Sequence, residues 1–383
     1  MTSGKRRAVS CWIVFACLAQ AARSQTGDLH GQASAWFAPN SDGTTQYQTG
    51  IRYIPDLLLS DKLGDGVDAG MELSLNSYAA ARFAAGVIPS YEANLKPYRG
   101  WLRLSTDRFE FRAGLQKINF GSAQIFRPLM WFDRIDPRDP LQLTDGVYGA
   151  LARYYFQNNF NIWLWGLYGN SNTKGWEIAP TESRTAEYGG RIQSPLLTGE
   201  IGLTYHHRRA DMRDLIPVLA SQRSPFAPED RFGIDGKWDL GIGLWGEGAI
   251  VRQEPDLPGV LYGRQWTVGA DYTFDVGSGL YAATEYFRSD APVKPFASGP
   301  GYGFSALTIN YPVNMVDRIS AIVYRDWTND KWYRLITWQR TLDNWSFYLL
   351  GFWDPDAVEI PNSQAGTNSF AGVGFQFIMI FNH

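Results

Sequence analysis

The chain has 383 residues, 45% of them hydrophobic and 15% aromatic, and a formal charge of −3. This balance excludes a basic nucleic-acid footprint, and beyond residue 24 no apolar run approaches the roughly 20 residues of a spanning helix. A high aromatic content and 39 glycines beside ordinary hydrophobicity fit a wall whose lipid face and wet face alternate residue by residue.

The chain opens with a basic head, Lys5, Arg6 and Arg7, followed by an apolar run from Ala8 to about Ala22. Small residues then offer cleavage sites at Ala19-Gln20-Ala21 or at Ala22-Arg23-Ser24, before Gln25. This is the layout of a secretory signal peptide, and the run is short for a membrane anchor. Phe15 is too bulky for a lipoprotein site at Cys17. Residues 1–24 are therefore expected to be a leader and 25–383 a single barrel. Cys11 and Cys17 both lie in the leader, so the mature chain is expected to carry no disulfide framework and no thiolate chemistry, as suits passage through an oxidising periplasm. Loss of the leader's four cations (Lys5, Arg6, Arg7, Arg23) shifts the formal charge from −3 to about −7.

Period-two alternation over segments of about ten residues, bounded by turn residues, marks strands. The first runs from His30 to Ala38 and the last from Phe370 to Phe381. Between them the pattern predicts about 18 strands in all (about 16–18), an even count within the bacterial outer-membrane range. In Phe109-Glu110-Phe111-Arg112-Ala113, and in Phe232 to Asp239, bulky apolar residues alternate with polar or small ones. Asp235, Lys237 and Asp239 would be costly in a dry core; facing a wet lumen they cost little. Connection lengths also alternate: short ones such as Thr106-Asp107 and Asn158-Asn159 fall between long ones such as Asn119–Gly146 and Ala210–Glu229. Short turns on one side and longer loops on the other are what an outer-membrane barrel shows. Tryptophans where strands meet loops, among them Trp36, Trp101, Trp163, Trp165, Trp327, Trp332, Trp345 and Trp353, read as interfacial girdles.

The longest interruption is Asn119–Gly146. Its prolines, Pro128, Pro137 and Pro140, preclude a central strand or an unbroken helix. It mixes six large apolar side chains, Ile125 to Phe132, with Arg127, Asp133, Arg134, Asp136, Arg138 and Asp139. A segment folded back into a protected, partly wet cavity would use both sets. From the alternation, Arg99, Arg103 and Arg112 point inward opposite the loop aspartates. The two sets could create a transverse field that selects on charge, or could pin the loop to the wall; both roles can coexist. Calcium at Asp133, Asp136 and Asp139 is disfavoured by Arg134 and Arg138 between them and by the lack of an EF-hand-like glycine turn. No metal or other cofactor is expected. An enzyme is also disfavoured. Gly-x-Ser-x-Gly is absent, and the mature histidines are His30 and His383 at the ends with His206 and His207 adjacent on one strand, which leaves no placed base for a nucleophile.

These patterns resemble a Gram-negative outer-membrane porin across the whole mature chain. The closing stretch Gly374-Phe375-Gln376-Phe377-Ile378-Met379-Ile380-Phe381 is similar to the terminal strand by which such barrels are recognised, with Asn382 and His383 as two extra residues. The resemblance implies an all-β, transmembrane antiparallel barrel whose third outer loop, 119–146, folds into the lumen and narrows it. It implies a channel for small hydrophilic solutes or ions, set in outer-membrane lipid and inserted by the barrel-insertion machinery. A homotrimer stays open, because lipid-facing and partner-facing walls read alike. The stretch Gly114-Leu115-Gln116-Lys117 into Phe120-Gly121, with Asp136-Pro137 downstream, also resembles alginate-export-type barrels. That alternative implies an exporter of an anionic polysaccharide running along the arginines.

Overall fold

A computed structural model describes residues 26–39, 47–84, 88–213, 225–254, 261–355, 370 and 372–383. The leader assigned to residues 1–24 lies outside them. The described residues form eighteen strands. The first six are β1 (Thr26–Pro39), β2 (Tyr47–Gly64), β3 (Val67–Phe83), β4 (Ser90–Ser105), β5 (Phe109–Gln116) and β6 (Val147–Tyr155). Then come β7 (Asn161–Leu167), β8 (Glu187–Leu196), β9 (Gly199–Asp211), β10 (Phe226–Asp239), β11 (Gly243–Gln253) and β12 (Leu261–Phe274). The last six are β13 (Leu280–Asp290), β14 (Gly301–Pro312), β15 (Asp317–Asp326), β16 (Lys331–Thr341), β17 (Trp345–Trp353) and β18 (Val373–Asn382).

Each strand pairs antiparallel with its sequence neighbour, and β18 closes on β1 through pairs such as Ala33↔Phe381 and Trp36↔Ile378. Closure matters because lipid offers no hydrogen bonds to an unpaired edge. The count equals the eighteen read from alternation. The lengths differ at the start of the barrel, where β2, β3 and β4 run 18, 17 and 16 residues. Alternation marks the second strand only over Gln46–Ile54. Instead Pro55 sits opposite Gly31, and pairing continues to Thr26↔Ser60. A register shift at Ser74/Leu75 absorbs the irregularity on the next hairpin.

Side chains divide as the period demands. Leu102, Leu164, Leu203, Phe232 and Val268 are exposed on the outer wall, while Arg99, Trp101, Glu247 and Glu285 are buried on the inner one. Trp327, Trp332, Trp345 and Trp353 are exposed, as a girdle requires. Four tryptophans expected in that girdle turn inward instead. Trp101 and Trp165 are buried, Trp163 lies beneath the Arg153 guanidinium at 4.0 Å, and Trp36 stacks on Tyr78 at 5.6 Å. They face a lumen that is not uniformly wet. On the side of β6, β7 and β10–β16, loop residues pack against the wall in two apolar clusters. One joins Phe120, Leu129, Trp131 and Phe132 to Leu151 and Trp165; the other joins Ile125 and Phe126 to Phe287, Phe304 and Tyr324.

Leu164 stands mid-strand on the outer wall. Replacing it by arginine is expected to cost about 2–4 kcal/mol if it faces the bilayer midplane. Denaturant unfolding in lipid vesicles measures this, and a change within 0.5 kcal/mol (roughly the noise of a surface substitution) would place that face in water.

Candidate functional site

The loop 119–146 crosses the lumen, and its backbone is held by carboxylates that project from the opposite wall. On β11 the inward series runs Trp245, Glu247, Ala249; on β13 it runs Ala283, Glu285, Phe287. Each acid therefore sits between apolar inward neighbours, with no water-facing position open to it. Glu285 accepts hydrogen bonds from the backbone N–H of Gln124 (2.7 Å), Ile125 (3.1 Å) and Phe126 (2.7 Å), and from Trp245 Nε1 (2.8 Å). Glu247 accepts from Ala123 N (2.9 Å) and Leu129 N (2.5 Å). Successive N–H groups converging on one carboxylate form an anion nest, and charge-assisted bonds of this kind contribute about 1.5–3 kcal/mol each. Thr267 Oγ1 donates to Phe126 O (2.7 Å) and Trp176 Nε1 to Arg127 O (2.8 Å). Gly121, at φ 100°, brings the loop so close that a Cβ there would collide with the Glu247 carboxylate.

The residues singled out in the sequence separate into three groups. Asp136 and Arg138 pair with each other (Nη2 to Oδ2, 2.8 Å) and are buried; Arg138 also reaches Asp354 at 3.4 Å and covers the Phe370 ring. Arg134 donates to Gly175 O (2.9 Å) on the next outer loop, and Arg127 donates to Phe120 O (3.0 Å) and Asn119. These four clamp the loop. Asp133 is buried, and both its carboxylate oxygens are without a hydrogen-bond partner among the described residues. Burial raises its affinity for a proton, against the opposing pull of Arg127 and Lys117.

The third group lines the part of the wall that the apolar clusters leave free. Arg99 donates to Tyr98 O (2.5 Å) and to Thr144 O (3.1 Å) at the far end of the loop. Arg103 and Arg112 stand directly opposite each other on β4 and β5, sharing the face of Trp101. Like charges in that position destabilise a sheet. Glu110 relieves only part of the repulsion, since it pairs with Arg112 and Arg153 at 3.3 Å each and not with Arg103. Arg52 on β2, not singled out in the sequence, extends the row. Its guanidinium lies 5.6 Å and 5.1 Å from the Trp36 and Tyr78 ring centres. Asp139, in which burial favours the proton, lines a cleft together with Arg52. The expected opposition of acids and bases thus gathers at Asp139 and Arg52, and the basic wall is longer than the acidic one.

Glu247 and Glu285 were also missed. Their signal was available: a single acid at an inward position between apolar inward residues must find a buried partner. A loop 100 or more residues away could not be identified as that partner from sequence.

No protein-family model matches the chain, and no curated protein does. Solved structures do. OccAB1 from Acinetobacter baumannii is similar at a TM-score of 0.56 with 9% identity, over 94% of this chain and 96% of that one. OccD3 (OpdP) from Pseudomonas aeruginosa is similar at 0.56 with 12% identity, over 93% and 91%. An anion-selective porin from Comamonas acidovorans is similar at 0.50 with 12% identity, over 94% and 100%. At such identities the likeness is one of fold: the chain is an outer-membrane porin-type β-barrel in architecture.

Two predictions follow from the clamps. Glu285→Ala leaves three loop N–H groups and the Trp245 indole without their acceptor, and is expected to lower unfolding stability by on the order of 3 kcal/mol; a loss below 0.5 kcal/mol, roughly surface noise, would mean the carboxylate holds nothing. Asp354, just past β17, has its carboxyl pushed up to about 6 by burial, against the pull of Arg138. The folded state thus binds this proton more tightly than the unfolded chain, so the contribution to stability is full at low pH and is lost as pH rises from about 4 to about 6. Wild type should therefore lose stability relative to Asp354→Asn across that window, by on the order of 1–3 kcal/mol, and parallel pH curves would contradict the shift.

Proposed function

From this porin-type barrel we propose an outer-membrane channel that passes small hydrophilic solutes by diffusion, anions ahead of cations, along a lane between the loop 119–146 and the inner wall of β2–β5. The observation that carries this reading is the facing pair Arg103 and Arg112, flanked by Arg99 and Arg52. A purely structural wall gains nothing from opposed like charges, whereas an anion path uses them to offset the loss of solute hydration. Among the described residues, Arg52, Arg99 and Arg103 have no ion-pair partner. In this reading the loop constricts the pore, residues 1–24 direct export, and the aromatic last strand engages the insertion machinery. The chain is not an enzyme and needs no cofactor. Exposed apolar walls accommodate lipid or, in a homotrimer, a second barrel.

A second reading has support from the same wall: the arginine row would also serve as the track of an exporter for an anionic polysaccharide. Planar-bilayer recording separates the two. A diffusion channel gives steady current in KCl with a reversal potential that reports anion preference, and Arg103→Glu with Arg112→Glu moves that potential toward cations. An exporter stays closed to KCl until an anionic polymer is supplied. A conducting pore whose reversal potential ignores both substitutions would contradict the proposed lane.

A further inference from the structure

The short turns lie on the side that faces the periplasm in an outer-membrane barrel, and they divide into two arcs of unlike chemistry. After β2, β4 and β6 the tips are Asp65-Gly66, Thr106-Asp107-Arg108 and Gln157-Asn158-Asn159, with Leu63 and Phe156 exposed beside them. Such polar tips are what a turn in water uses. The next five short turns, after β8, β10, β12, β14 and β16, each carry an exposed aliphatic side chain instead: Leu197, Leu240, Val276, Met315 and Leu342. Leu197 is 90% exposed and Met315 fully so. The backbone at Leu197 adds an independent observation. Its φ is 57°, in the left-handed region, whereas the turn after β6 places Asn159 at φ 63°. Asparagine adopts that region readily and a bulky side chain does not. A leucine there costs backbone strain, and in water its exposed side chain brings no offsetting gain.

The surroundings of the apolar arc identify its partner. Trp238 and Trp338, near the ends of β10 and β16, donate to Leu196 O and Asp317 Oδ1 at 3.1 Å each, and indoles with an apolar body and a bonded N–H suit the membrane boundary. β15, β16 and β17 run 10, 11 and 9 residues, about the length that crosses a bilayer, so their turns end at its edge. The headgroup layer beyond the hydrocarbon is about 5–8 Å deep on each side. A turn of at most five residues, out and back at about 3.3 Å per residue, stays within it. We propose that this arc is a lipid-docking rim, its aliphatic tips seated in the inner-leaflet headgroup layer. Asp239, Asp275 and Asp343, exposed beside the tips, face the cationic amines of phospholipid heads. The arc thereby continues the lipid-facing outer wall around the end of the barrel. The polar turns after β2, β4 and β6 stay in water, on the side of the arginine wall. The inference concerns the rim alone and does not depend on whether the lumen conducts.

The test uses the full mature chain, reconstituted in vesicles of phosphatidylcholine and phosphatidylethanolamine, with one nitroxide spin label per variant. Leu197→Cys and Met315→Cys report on the apolar arc, and Asp107→Cys and Asn158→Cys on the polar one. Collision with oxygen, which dissolves in lipid, is compared with collision with a water-soluble nickel chelate. The oxygen-to-nickel ratio at positions 197 and 315 is expected to exceed that at 107 and 158 by about 5-fold or more. Adding Leu240→Asn and Leu342→Asn should lower the ratio at 315 by at least 2-fold, because the arc then rides higher out of the lipid. Heat-modifiable migration on gels verifies that each labelled chain is a closed barrel, and Leu240→Cys replaces Leu197→Cys if that variant fails to close. Equal ratios at all four positions would put both arcs in water and overturn the proposal. Shielding of 197 and 315 from both reagents would overturn it as well, since the arc would then be covered by protein, a second copy of the chain included.

Discussion

The arrangement of the lumen depends on two carboxylates buried in the barrel wall. Glu247 and Glu285 have no water to face and no lysine or arginine within ion-pair distance among the described residues. Their charge is met by backbone N–H groups from the loop that crosses the lumen. The exchange is mutual. A loop turned into a cavity must find partners for its own peptide groups, and these acids provide them without helix or sheet. Once that contact is made, the apolar side chains of Ile125 to Phe132 have a wall to pack against, and the loop becomes part of the interior. The aromatic clusters then follow, with Phe126 stacked on Phe287 at 5.3 Å and Phe120 on Trp165 at 5.6 Å.

This attachment is one-sided, and the asymmetry creates the candidate pathway. Apolar packing takes up the wall at β6, β7 and β10–β16. On the inner wall of β2–β5, Arg52, Arg99, Arg103 and Arg112 lie over tryptophan or tyrosine rings. Stacking leaves the guanidinium edges free for hydrogen bonding while restricting their motion. The aromatics hold this basic surface in place; Glu110 pairs with Arg112 and Arg153, while Arg52, Arg99 and Arg103 have no ion-pair partner among the described residues.

Much of the barrel was legible in the sequence. Eighteen strands, their inward and outward faces and the long third outer loop all follow from period two and from connection length, which are local properties. The lower half of β2 was not legible, because Pro55 and three consecutive leucines obscured the alternation that the pairing with β1 imposes. The inward tryptophans were misplaced because a tryptophan near a strand end looks the same whether it meets lipid headgroups or an arginine of the neighbouring strand on the inner face. Within the loop, charge signs were visible but partners were not. Asp136 pairs with Arg138 two residues away, and Asp139 lies near Arg52, 87 positions back in the chain. Only closure of the cylinder decides between such alternatives.

The central claim is that alternate residues of β4 face lipid and an open aqueous lane. It is tested most directly by single-cysteine labelling, since Cys11 and Cys17 both precede residue 25. Arg103→Cys and its neighbour Leu102→Cys, each reconstituted in lipid vesicles, would be exposed to a small anionic thiol reagent. The account predicts rapid modification at position 103 and protection at position 102. Protection of both would mean that the lane is closed, and modification of 102 alone would mean that the faces of the wall are reversed.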